Sequence, residues 1–92
     1  MNSYQIKKYS FNQAKKLNVK IYPSTNPNKK IDIYKDNIFI TSIGSISYFD
    51  YPTYLELEGK KYADERRRLY HLRHKKDNII GTKGWYALNI LW

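Results

Sequence analysis

All four arginines of this 92-residue chain, Arg66, Arg67, Arg68 and Arg73, lie within one short window of the basic stretch from Lys60 to Lys76. The same stretch holds both histidines, His71 and His74. Elsewhere the positive charge is carried by lysine. The composition leans on Lys, Asn, Ile and Tyr, as an AT-rich coding sequence tends to produce, so lysine is the default cation. Clustered guanidinium groups then point to work an ammonium does less well. Arginine offers a planar fork of donors that grips phosphate or carboxylate bidentately and stacks on flat rings, whereas lysine is a point charge.

The element that must carry these residues is a helix. At about 100° per residue, Tyr62, Ala63, Leu69 and Tyr70 gather on one side, and Arg66 and Arg73 project from the middle of it. An unpaired charge there is costly, so Arg66 and Arg73 are expected to form structural ion pairs with a carboxylate such as Asp32, Asp50, Glu56 or Asp77. Arg67, Arg68, His71, His74 and Lys75, with Lys60 and Lys61 at the start of the helix, face elsewhere and form the expected nucleic-acid-binding surface. Phosphate neutralisation by such a group gives affinity that falls steeply with salt. The competing reading is a solvated helix face, with Asp64 and Glu65 partly neutralising the arginines.

Other chemistries find little support. The chain has no cysteine, which removes disulfides and thiolate metal sites. His71 and His74 at i, i+3 lack further imidazole or thiolate ligands, and HExxH is absent, so no metal is expected. Gly81-Thr82-Lys83-Gly84 does not match a phosphate-binding P-loop, because no hydroxyl residue follows Lys83. No nucleophile carries a G-x-S-x-G signal. The reading is a non-enzyme with no catalytic residue and no cofactor.

The formal charge of +9 and pI near 9.7 favour a polyanionic partner in a domain this small. Residues 1–92 are read as a single basic α+β domain, a small antiparallel sheet of about three strands packed by helices. Ser10-Phe11-Asn12-Gln13 reads as a capping box opening a helix through Leu17, with Asn18 as its left-handed stop. Val19–Tyr22 reads as a strand closed by Pro23. Ile31–Tyr34 and Ile38–Ile43 read as a hairpin about Lys35-Asp36-Asn37. Ile31 and Ile33 share one face of it, as do Ile38, Ile40 and Ser42 on the partner strand. Asp32, Tyr34, Phe39 and Thr41 take the other face. Exposed Tyr34 and Phe39 would form a base-stacking platform, but the commoner fate of such rings is cover by a helix.

Asp50, or Thr53 with Glu56, is expected to cap a short helix through Leu57 that carries Pro52 in its first turn. Gly59 stops or kinks it before the arginine helix. Trp85–Trp92 is apolar, reads as helical and should dock into the core, with Trp92 as an interface anchor if it stays exposed. Nothing from Met1 to Lys8 forms the apolar stretch of a signal peptide, and no apolar run approaches the ~18 residues of a membrane span. The expected location is intracellular, with no membrane partner.

The pattern Ile43-Gly44, Asp50-Tyr51-Pro52-Thr53-Tyr54, Gly59, Tyr62-Ala63, Arg66-Arg67, Leu69-Tyr70, Arg73-His74, Gly81, Gly84, Tyr86-Ala87 and Ile90-Leu91-Trp92 resembles a family of small basic proteins encoded by giant (nucleocytoplasmic large) DNA viruses. That resemblance covers most of the chain. It implies a viral origin with a genome-associated or virion role, placed in the host cytoplasm, nucleus or virus factory or within a virion, and it supplies no catalytic residue. The expected function is therefore nucleic-acid binding, DNA ahead of RNA, through the Arg/His helix and with low sequence specificity. The alternative is a virion structural component whose basic surface and aromatic C-terminal segment contact other virion proteins.

Overall fold

The computed structural model describes residues 4–92, and the reading of Met1, Asn2 and Ser3 lies outside them. The chain is α+β. In order it forms α1 (Lys8–Lys16), β1 (Lys20–Pro23), β2 (Lys29–Lys35), β3 (Ile38–Ser45), α2 (Tyr51–Glu58) and α3 (Lys60–Arg73). A 3₁₀ turn (Lys75–Asp77) and α4 (Lys83–Ile90) follow. The strands make one antiparallel sheet in the order β1-β2-β3. The two turn residues of the hairpin, Asp36 and Asn37, both have positive φ, which the favoured tight hairpin turn requires and Asp and Asn tolerate.

Ile21, Ile31, Ile33 and Ile43 project from one side of the sheet into a core completed by Ala14, Val19, Tyr86, Ile90 and Leu91. The register differs from simple alternation because β3 carries an irregularity opposite Ile33 and Tyr34. Ile33 pairs with Thr41 but Tyr34 pairs with Phe39, so Ile40 is the extra residue. The bulge rotates the rest of β3. Ile43, not Ile38 or Ile40, thereby enters the core, while Ser42 joins Asp32 on the opposite side and Thr41 leaves it.

Ser10 is not a cap. Lys7 occupies the N-cap position of α1 without a side-chain hydrogen bond, and Ser10 lies buried inside the helix. Its hydroxyl donates to the Ile90 carbonyl at 2.9 Å, and Gln13 Nε2 donates to the Asn89 carbonyl at 2.9 Å. Both side chains thus satisfy carbonyls at the end of α4, which its own ladder leaves open. Asn18 does take the left-handed conformation expected of a stop.

Asp50 caps α2 by accepting the Thr53 N–H at 3.0 Å, and Pro52 sits in the first turn. Gly59, with φ of 87°, turns the chain directly into α3. The α2–α3 unit buries little of itself, chiefly Tyr51, Pro52 and Ala63. It is fastened by a few specific contacts. Tyr51 N–H donates to the Leu91 carbonyl at 3.0 Å, Lys7 pairs with Glu56 at 2.8 Å, and Asp50 meets Lys30 and Tyr4. As expected, α4 docks into the core. No helix among the described residues is long and apolar enough to cross a membrane.

Candidate nucleic-acid interface

The arginine helix presents its charges differently from the expectation. Arg67 and Arg68 are already engaged. Arg67 lies 4.0 Å over the Tyr51 ring and 3.4 Å from Asp64, and Arg68 grips Glu65 through both Nε and a terminal nitrogen. Lys60 reaches Asp64 at 2.6 Å. The Asp64 carboxyl is held below its ordinary value by hydrogen bonds from Lys60 and Tyr51. His74 Nδ1 meets Asp77 at 2.7 Å, and His71 Nε2 lies 3.3 Å from the Trp92 carbonyl. Of the surface first assigned to nucleic acid, only Lys61 and Lys75 have no such partner among the described residues. Neutralisation by Asp64 and Glu65 is therefore the arrangement present on this face.

Arg66 and Arg73 form no ion pair among the described residues. The reason is that each carboxylate proposed for them is occupied. Asp32 accepts from the Ser24 and Ser42 hydroxyls, Asp50 holds Lys30, Glu56 holds Lys7 and Asp77 holds His74. Arg66 instead lies 5.4 Å from the centre of the Tyr54 ring, within the range of a cation–π contact.

Both arginines line a cleft of about 530 Å³ between α3, the end of β3 and α4, a size typical of ligand sites. Aromatic rings run along one wall. Phe49 meets Tyr54 edge-on at 5.5 Å, Tyr54 approaches Trp92 at 6.2 Å, Trp92 stacks on Tyr70 at 4.2 Å, and Tyr70 stacks on His74 at 4.1 Å. Burial, with the nearby Asp77 charge, pushes the Tyr70 phenol up against the pull of Arg73.

Lys83 completes the cationic side. Burial and the adjacent Lys29 ammonium push its pKa down, because both disfavour the charged form. Lys30 also borders the cleft, but its charge is committed to Asp50. Burial alone would raise the Asp50 carboxyl. The Lys30 charge and hydrogen bonds from Lys30, Thr53 and Tyr4 outweigh that effect and hold it below its ordinary value.

The cleft can therefore take a ligand with a flat ring and a negative charge, positioned by Arg66, Arg73 and Lys83. Sequence periodicity placed Arg66 and Arg73 among the tyrosines, and His74 and Trp92, both singled out in the sequence, also line this site. Lys83 and Tyr54 carried no such signal. No group of three or more His, Asp or Glu residues is arranged to hold a metal ion among the described residues. No family model, no curated protein and no solved structure matches the chain.

Proposed function

We propose that the chain binds nucleic acid, DNA ahead of RNA and with little sequence preference, through the cleft side of α3. The observation that carries this reading is that Arg66 and Arg73, without acidic partners among the described residues, share a cleft with Tyr54, Tyr70 and Trp92. Tyr70 is already held between Trp92 and His74, so Tyr54 and Trp92 are the rings left to a ligand, and rings beside cations suit unpaired bases and the phosphates that join them. The preferred form is single-stranded, because a duplex keeps its bases stacked on one another. The net charge of +9 supplies the long-range attraction.

The test is fluorescence anisotropy with a labelled single strand and the corresponding duplex, at about 50 and 200 mM salt. Binding should favour the single strand and weaken with salt. Arg66→Ala and Arg73→Ala should each lower the logarithmic salt slope by about one. Arg68→Ala should change it less, since its guanidinium already carries Glu65. Absence of binding to either form at low salt overturns the proposal, and a larger effect from Arg68 than from Arg66 and Arg73 moves the contact to the outer face.

A second reading, a virion or other protein-interaction component, draws on one observation. Tyr48, Ile79 and Ile80 are at least 64% exposed, apolar surface that a protein neighbour would cover. On that reading the chain binds an acidic protein face and leaves oligonucleotides alone.

A further inference from the structure

The side of the sheet turned away from the core carries a second, separate surface. Cross-strand partners share a face, so the pairings Tyr22 with Asp32, Lys20 with Tyr34, and Tyr34 with Phe39 put three rings together there. Tyr22 meets Tyr34 edge-on at 5.5 Å, and Tyr34 meets Phe39 at 5.6 Å. No helix covers them: Tyr22 and Phe39 are 48% and 50% exposed. The expectation that helices would bury these aromatics is corrected by the position of the core, which α1 and α4 build on the isoleucine side.

We propose that this open sheet face is a second site for single-stranded nucleic acid, in which Tyr22, Tyr34 and Phe39 stack bases and Lys15, Lys20 and Lys35 meet phosphates. The inference rests on the nucleic-acid reading above, but on different residues. A concavity of about 820 Å³ on this side is lined by Tyr22 and Tyr34 and bordered by those three lysines, and Phe39 extends the ring surface beside Tyr34. None of the three lysines is ion-paired among the described residues. The acid in its floor is already occupied. Asp32 accepts the Ser24 and Ser42 hydroxyls and, at 3.3 Å, the Thr25 N–H, and it is only 5% exposed. Asp36 is the one remaining carboxylate on the rim, so the balance is cationic. The ligand that uses both features alternates flat apolar groups with anions, as unpaired nucleotides do. An acidic peptide would answer the lysines and leave three rings unused.

The sheet site lies at the hairpin turn, near Asp36 and Asn37, whereas the cleft adjoins Gly44 and Ser45 at the far end of β3. At about 3.3 Å per residue the two are on the order of 20 Å apart along the strand. One molecule can then hold two strand segments at once.

The experiment is a titration of the isotope-labelled protein with a short thymidine oligonucleotide, followed by backbone amide resonances, with oligoglutamate as a parallel probe. The nucleotide should move two separate groups of resonances, one around Tyr22, Tyr34 and Phe39 and one around the cleft. Tyr22→Ala with Phe39→Ala should weaken the sheet response about tenfold or more and spare the cleft. Lys20→Glu with Lys35→Glu leaves the rings in place and should weaken the same group, which guards against a folding defect in the first variant. Four outcomes overturn the inference: sheet resonances that stay still while the cleft responds, sheet resonances that respond equally to oligoglutamate, a sheet response lost on Arg66→Ala with Arg73→Ala, or no response from either group. The first leaves the proposed function standing, while silence of both groups removes both readings.

Discussion

Lys30 and Asp50 form a closed ion pair between β2 and the start of α2, with Nζ 2.8 Å from Oδ2 and the two side chains 5% and 1% exposed. The same carboxylate caps α2 and accepts the Tyr4 hydroxyl at 2.7 Å. Removing one partner strands a buried charge, which costs far more than the pair itself contributes. Lys30→Met should destabilise the protein by about 3–5 kcal/mol in urea unfolding. Adding Asp50→Asn should restore part of that loss. A double variant less stable than Lys30→Met would show that the carboxylate does not depend on the ammonium.

Acid should unfold the protein through the same group. Asp50 and Asp32 are held below the ordinary aspartate value of 3.8. For Asp32 burial opposes the shift, and the hydroxyls of Ser24 and Ser42 overcome it. A carboxyl with a depressed folded pKa binds protons more readily in the unfolded chain, so its contribution is whole above 3.8 and drains as pH falls toward the folded value. Thermal melts should be nearly flat from about pH 7 to 5 and drop steeply below about pH 4. In Asp50→Asn that drop should be shallower. Asp64 and Glu65 are lowered too, but their exposed positions leave them screened by salt.

Trp92 covers Tyr70 with its ring only 6° from parallel, and through it joins α3 to the end of α4. Trp92→Ala should cost about 2 kcal/mol, below the range for a fully buried tryptophan because Trp92 is half-buried. Trp92→Phe should recover most of the loss, as a ring still stacks. Nucleotide affinity at the cleft should follow the same order. Equal melting temperatures for the alanine variant and the parent protein would show that α3 is held without the stack.

Gly84 gives Asp77 its room. A methyl group there would stand 2.6 Å from the Asp77 Cβ and 2.8 Å from its Cγ, contacts that force the 3₁₀ turn to move. Gly84→Ala should lose about 1–3 kcal/mol and shift the His74 ring resonances as Asp77 leaves its nitrogen. Unchanged His74 resonances would count against this account.

What could be read from the chain follows a physical division. The hairpin, the Asp50 cap and the Gly59 kink depend on neighbouring residues, and each is visible as a local pattern. Ser10 misleads because a serine three residues before a glutamine looks like a cap, while its real partner is the Ile90 carbonyl, 80 positions away. The bulge at Ile40 has no marker such as glycine. Helical periodicity correctly separates Arg66 and Arg73 from Arg67 and Arg68. It cannot reveal that the available carboxylates are claimed by Lys30, Lys7, His74 and two serines, which is a matter of tertiary neighbours. That competition leaves Arg66 and Arg73 without the carboxylates expected for them among the described residues, and Arg67, expected to meet a ligand, lies against Asp64 and Tyr51.

The clasp between α1 and α4 bears on how the protein is made. Ile31, Ile33 and Ile43 need Ile90 and Leu91 above them, and those residues are translated about fifty positions after the sheet. At about 5–20 residues per second the strands wait several seconds with the α4 part of their apolar side uncovered. A ribosome that stalls during that interval holds α1 and the three-stranded sheet with the α4 side of the core open. Such a chain is a client for chaperones and proteases.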